Sequence, residues 1–323
     1  MVTATQKEAS LPDPDDHALA ADLADRAGHL LLALRAQGGD PQALKNAGDR
    51  QSHEFLLAEL AKARPNDAVL SEEGLDDKAR LSADRVWIVD PLDGTREFGE
   101  PPRTDWAVHV ALWTRNPVSE AYAEGEASAA GKAGEPTRLR NAGEAGEPTP
   151  EGKAGAAGEL TAGAVALPAQ GMVLSTRDIA ERLGRRGNSG RPSEGVSAGI
   201  FPSGPGAQRR LRLVVSRTRP SQLVKDVATL LNADLVPCGS AGAKAATVIQ
   251  AENDVYLHSG GFYEWDTAAP VAVARAAGLH VSRIDASDVT YNQENPLLPD
   301  ILVCRPAIAS LLLNAIREAT HAI

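Results

Sequence analysis

Between residues 16 and 37, apolar side chains recur at helical spacing: Leu19, Leu23, Ala27, Leu30, Leu31 and Leu34. Gly38-Gly39 marks the end of this first predicted helix. Lys45 to Asp49 (KNAGD) reads as a turn, with Asp49 placed to cap a second helix. That helix turns Phe55, Leu56, Leu57 and Leu60 inward and stops at Pro65-Asn66. The period then switches to strands. Ala68-Val69-Leu70 runs into Ser71-Glu72-Glu73-Gly74, and residues 84 to 90 form a strand whose bulky end is Trp87-Ile88-Val89. Asp90 follows at once, and Pro91, with no N–H to pair, is expected to stop that strand. Residues 105 to 113 alternate, with Trp106, Val108, Val110 and Leu112 on one face.

The pattern breaks at residue 120. From there to 163 the chain is mostly Ala, Gly, Glu, Pro, Thr and Lys, with AGEPT at 133–137 and again at 145–149. Two copies do not make a repeat fold, and this composition predicts a disordered surface insertion. Residues 164 to 174 resume as a strand, and 184 to 210 form a second loop rich in Gly, Ser, Pro and Arg. Beyond it come a strand at 211–216, a helix at 221–232, a strand at 235–238 and a helix from 241 to 250. A strand at 254–258, a small-residue helix from 264 to 278, strands at 279–284 and 301–304 and a helix at 306–321 complete the chain. Hairpins early and helix–strand alternation late predict a layered α/β fold, with a boundary near residue 210 between an N-terminal and a C-terminal half.

Composition narrows the classes. At 323 residues and 43% hydrophobic, the chain can bury a large core. A net charge of −10 argues against a nucleic-acid-binding surface, though not against a small phosphorylated ligand held through cations. Cys238 and Cys304 stand alone without the spacing of a zinc or redox motif. No apolar run is long enough to span a membrane, and the polar, acidic start does not resemble a signal peptide, so a cytoplasmic protein is expected.

Carboxylates gather where elements start or stop: Asp49, Glu72, Asp90, Asp93 and Asp266. Asp90 and Asp93 sit three positions apart at one strand end, followed by Gly94 and Thr95. Such acids repel one another, and keeping both ionised calls for a hard cation such as Mg²⁺. Gly94 would let backbone N–H groups approach an anion. Taken singly, each has a plainer reading: an Asp-Pro-x-Asp-Gly turn in solvent, or an N-cap for Asp49 and Asp266. Together they could hold two or three Mg²⁺, bridge a phosphate and acidify a water that Glu72 and Thr95 orient. The one G-x-S-x-G, Gly195-Val196-Ser197-Ala198-Gly199, falls in the second loop rather than between a strand and a helix as a nucleophile elbow requires, so direct hydrolysis is preferred over a covalent intermediate.

Three blocks in order, Ser71-Glu72-Glu73, Asp90-Pro91-Leu92-Asp93-Gly94-Thr95 and Trp265-Asp266-Thr267-Ala268-Ala269, resemble the motifs of the lithium-sensitive, Mg²⁺-dependent phosphatases of the inositol monophosphatase family. The resemblance covers nearly the whole chain apart from the two loops. It implies an αβαβα sandwich with the active site between its halves. By position it implies that Glu72, Asp90, the carbonyl of Leu92, Asp93 and Asp266 are metal ligands. Thr95 falls on the hydroxyl that helps activate water, Asp49 on its acid partner, and Gly94 and Thr95 on phosphate-facing amides. Glu73 falls behind the ligands.

Departures from the inositol enzymes suggest a branch. Arg96-Glu97-Phe98 replaces a Thr-Asn-Phe, Ser259 stands where those enzymes place an acid, and Lys244 where they place an asparagine. These features, with Gly239-Ser240 before Lys244 and the late Tyr291-Asn292-Gln293, are similar to the 3′(2′),5′-bisphosphate nucleotidases of CysQ type, in their actinobacterial form. An acid at 259 would repel a second phosphate. The resemblance implies 3′-phosphoadenosine 5′-phosphate (PAP) as substrate, with PAPS as a further one, in sulfate assimilation. It also implies substrate contacts from Gly94, Thr95, Arg96, Gly239, Ser240, Lys244 and, by a looser match, His258, and a family habit of homodimers. Inositol phosphates and fructose 1,6-bisphosphate stay open as substrates. So does a different class, a metal-binding regulatory protein without turnover, which the complete acid set disfavours.

Overall fold

The computed structural model describes residues 14–116, 157–179 and 209–321. Helices α1 (Pro14–Ala36) and α2 (Pro41–Ala63) come first. Strands β1 (Ala68–Ser71), β2 (Arg85–Asp93), β3 (Ala107–Arg115), β4 (Gly158–Leu167) and β5 (Met172–Ser175) form one sheet in that order, with the short helix α3 (Thr95–Phe98) after β2. The second sheet has the order β7-β6-β8-β10-β9, from β6 (Arg212–Ser216), β7 (Asp234–Cys238), β8 (Val255–Tyr263), β9 (His280–Ser282) and β10 (Leu297–Cys304). Its helices are α4 (Gln222–Leu230), α5 (Ala241–Ile249), α6 (Glu264–Ala276) and α7 (Pro306–His321).

Three apolar clusters define the layers. Leu23, Leu31, Leu56 and Leu60 of α1 and α2 pack on Trp87, Val89, Val108, Val110 and Leu112, one face of the first sheet. The other face, through Val86, Ile88, Ala111 and Trp113, meets α5 and α6 and then Val214, Tyr256, Ile301 and Val303 of the second sheet. The far side of that sheet, through Leu213, Val215, Leu257 and Leu302, is covered by α4 and α7. The order is αβαβα, as the resemblance implied. Central strands are therefore buried on both faces, which is why β2 and β3 are buried at nearly every position and carry apolar residues on both.

The small residues of α6 let it lie close to the first sheet. A Cβ at Gly163 of β4 would come within 2.7 Å of Ala272 Cβ. Burial of such a helix rests on many short contacts rather than a few large side chains.

Several sequence expectations are corrected. Residues 45–49 are not a turn but lie inside α2, whose true N-cap is Asp40, accepting from Ala43 N at 2.8 Å. Gly48 is tolerated mid-helix because a Cβ there would sit 2.9 Å from both Leu92 and Phe98. Strand β2 does not stop at Asp90. It pairs on to Asp93, with a register irregularity between the two that accommodates Pro91. The strand expected over 164–174 is two antiparallel strands, β4 and β5, joined by a 3₁₀ turn at Pro168–Gln170. Residues 158–163 of the supposed insertion belong to β4. The remainder of that insertion, including both AGEPT copies, and most of the 184–210 loop lie outside the described residues.

Candidate active site

Parallel pairing of β1 with β2 ends at Ser71–Val89, so Glu72 and Asp90 follow the last paired residues side by side. β1 ends there, whereas Asp90 stays paired with His109 of β3 and β2 runs on to Asp93. Asp90 is 1% exposed. Its Oδ1 accepts from Leu92 N at 3.0 Å, and its Oδ2, fully buried, has no hydrogen-bond partner. Burial, with the charges of Glu72, Asp93 and Asp266, holds its pKa well above the carboxylate range.

Asp93 is turned the other way. Its Oδ2 accepts from Ser240 Oγ and from Gly242 N at 2.7 Å, so it sits on the N-terminus of α5, across the two halves. Ser240 also caps that helix, accepting from Ala243 N at 3.0 Å. His109 Nε2 lies 3.2 Å from the same Asp93 oxygen. Burial acts to raise the Asp93 pKa, but His109, Lys244 and Ser240 outweigh it and bring it to about 2. Gly242 is obligatory here, because a Cβ would fall 2.1 Å from His109 Nε2.

Asp266 is the third residue of α6 rather than its cap, and its Oδ2 accepts from Tyr263 N at 2.6 Å. Burial and the charge of Asp93 raise its pKa to about 6. Carboxylate oxygens of Asp90, Asp93 and Asp266 all lie within 4.8 Å of one another. Glu72 is exposed as a residue, but its carboxyl reaches Asp90. Burial of that carboxyl and the charge of Asp266 bring its pKa to about 7.

Asp49 faces the cluster from α2. Thr95 Oγ1 donates to Asp49 Oδ1 at 3.3 Å and lies 3.1 Å from the carbonyl oxygen of Leu92. Burial and the charge of Glu73 lift Asp49 to about 6. Thus Asp90, Asp93, Asp266 and Glu72 gather in one cluster, and Thr95 links Asp49 to the Leu92 carbonyl beside it. The donor set is entirely oxygen, lacks a matching arginine, and includes an orphaned buried oxygen on Asp90. These are the properties of a hard-cation site.

A cavity of about 260 Å³ adjoins the cluster, and its walls include Gly94, Thr95, Arg96, Gly239, Ser240 and Lys244. Lys244 is 6% exposed and donates to the Ser240 carbonyl at 2.5 Å. His258 does not line this cavity. Its ring stacks on Phe262 at 4.5 Å, and burial and the Lys244 charge lower its pKa to about 4.

One residue, His109, and two pairings, those of Glu97 and Glu264, escaped the sequence reading. His109 is buried in β3 directly opposite Asp90 in register; its only signal is a polar residue in an apolar run. Glu97 is 6% exposed and pairs with Arg217 at 2.9 Å from the far side of the cavity. Glu264, the first residue of α6, accepts from Asn292 N at 2.7 Å and Gln293 N at 2.8 Å, which ties the Tyr291-Asn292-Gln293 segment to the start of α6.

The sequence profile described as the Inositol monophosphatase family matches residues 20–118 and 156–321. A protein of Mycobacterium leprae (strain TN), named 3′-phosphoadenosine 5′-phosphate phosphatase, is 45% identical over 305 residues, 94% of this chain and 94% of that relative. Inositol monophosphatase II from Staphylococcus aureus MSSA476 superposes with a TM-score of 0.64 at 17% identity, covering 96% of this chain and 98% of that one. CysQ from Bacteroides thetaiotaomicron gives 0.61 at 23%, covering 92% and 99%. At these identities the two structures speak for the fold.

Proposed function

The chain belongs to the inositol monophosphatase family, and within it we propose that the protein is a Mg²⁺-dependent phosphatase that removes the 3′-phosphate of PAP to give AMP. One observation carries this: 45% identity along 94% of both chains with a PAP phosphatase. The converging acids supply the chemistry that such an activity needs. PAPS is a further substrate on this reading, and the setting is cytoplasmic sulfur metabolism. The site lies between the halves on either side of residue 210.

Glu72, Asp90, Asp93, Asp266 and the Leu92 carbonyl would hold the ions, two or three per site. When bound, Mg²⁺ supplies positive charge to the phosphate oxygens and acidifies a water. The remaining steps belong to side chains. Thr95 donates its hydroxyl hydrogen bond to Asp49 and keeps its proton, which leaves its lone pairs free to orient the water. Asp49, raised to about 6, is placed to accept a hydrogen bond near neutral pH, and Glu72, as an ion ligand, would be ionised once the site is loaded and would accept from the water. The N–H groups of Gly94 and Thr95, at the start of α3, would face phosphate oxygens.

Phosphate release from PAP, PAPS, inositol 1-phosphate and fructose 1,6-bisphosphate, each with Mg²⁺, tests the assignment. PAP is expected to show the highest kcat/KM. A preference for inositol 1-phosphate would overturn it, and silence toward every substrate would leave a binding protein instead.

A further inference from the structure

The cavity beside the acid cluster has the opposite charge. One wall is Gly94 to Glu97, directly after the cluster turn, and the other is Ser216 to Arg219, the segment leaving β6. Four cations line it: Arg96, Arg217, Arg219 and Lys244. They are not equivalent. Lys244 is held by the carbonyls of Ser240 at 2.5 Å and Gly239 at 3.4 Å. Arg217 is neutralised by Glu97 and Glu100, each at 2.9 Å. Arg96 and Arg219 are exposed, and among the described residues neither side chain has a hydrogen bond or ion pair.

On the substrate class proposed above, we propose that Arg219, with Arg96 opposite, receives the second phosphate of a bisphosphorylated substrate. Glu97 acts as a positioning residue through Arg217. The separation of charge supports the assignment. A phosphate at the acid cluster is held through cations, whereas one in this cavity meets guanidinium groups directly, in the planar geometry suited to phosphate oxygens. Glu97 reaches Arg217 at Nε, 3.1 Å, as well as at its terminal nitrogen, and so fixes the guanidinium plane. Arg217 is thereby tied to α3, and Arg219, two residues on, is kept at the mouth. The backbone repeats the restraint, since Arg219 N donates to Ser216 Oγ at 3.3 Å. Gly239 packs against the same Glu97, because a Cβ there would come within 2.4 Å of Glu97 Cγ. Glu97 is thus tied to specificity without contacting the substrate.

The test compares PAP with adenosine 3′-monophosphate, which lacks the second phosphate, in wild type, Arg219→Ala and Glu97→Gln. Losing a charge-assisted phosphate contact costs about tenfold or more in binding. The ratio of kcat/KM for PAP to that for the monophosphate is expected to fall at least fivefold in Arg219→Ala, through KM rather than kcat. Glu97→Gln should move the ratio the same way, which a purely structural role would not do. Arg219 is exposed, so its variant reports even if Glu97→Gln folds poorly. A change of the ratio below fivefold in Arg219→Ala overturns the assignment. A wild type inert to PAP instead sinks the substrate class itself, so the two failures are distinct.

Discussion

Asp16 and Asp90 are equally buried, at 0% and 1% exposure, and are provisioned in opposite ways. Asp16 meets Arg64 at 2.8 Å and Arg85 at 3.0 Å, and Arg85 goes on to Asp67. Burial raises the Asp16 pKa, but the two guanidinium groups outweigh it and the net shift is downward. Asp90 meets other acids, keeps an orphaned oxygen and is pushed upward. A buried acid that ties α1 to β2 is given its cations by the chain. Within the cluster Asp93 has His109 and the start of α5, but Asp90 is left without such a partner, and that shortfall marks the site more clearly than burial does.

Replacing one acid from each region should separate the two roles. Asp90→Asn should lower Mg²⁺-dependent phosphate release about a thousandfold or more, because a ligand to the reacting centre is worth several kcal/mol. The metal-free variant should melt close to wild type, since a carboxyl that burial and crowding favour in its neutral form is replaced by a neutral amide of the same shape. Residual activity within tenfold would break the comparison. Asp16→Ala should do the reverse. Activity per folded molecule is retained, while denaturant unfolding shows a loss of about 2–3 kcal/mol. That is below the usual cost of breaking a buried pair, because both arginines keep some solvent and Arg85 keeps Asp67.

The smallest expected effect is on pH. Asp266 rises to about 6 and Glu72 to about 7, so the folded metal-free protein binds more protons than the unfolded chain between about pH 4 and 7. Its stability should therefore fall as pH rises through that window. Mg²⁺ should flatten the slope, and melting curves from pH 5 to 7.5 check the sign. A slope that rises with pH would contradict the assigned environments.

The sequence exposes three of the acids because they stand beside local stop signals: Asp90 before Pro91, Asp93 before Gly94, Glu72 where β1 ends. Layer order was legible only through the resemblance, since β2 and β3 are apolar on both faces and do not declare which helices cover them. The misreadings share one cause. Gly48 looks like a helix breaker, yet its place in α2 is decided by Leu92 and Phe98, more than 40 residues away. The first half of β4 has the composition of the insertion before it, yet Gly163 is set against Ala272, more than 100 residues on. Glu97 and Arg217 are 120 residues apart, so nothing in the chain pairs them before it folds.

The most direct measurement is calorimetric titration of Mg²⁺ into the metal-free protein near pH 6.5, in two buffers of different ionisation enthalpy. Carboxyls held protonated by crowding must release protons when a cation takes their place. Binding accompanied by proton release, abolished in Asp90→Asn, is the expected result. No Mg²⁺ binding, or binding that leaves the proton count unchanged, would contradict the account.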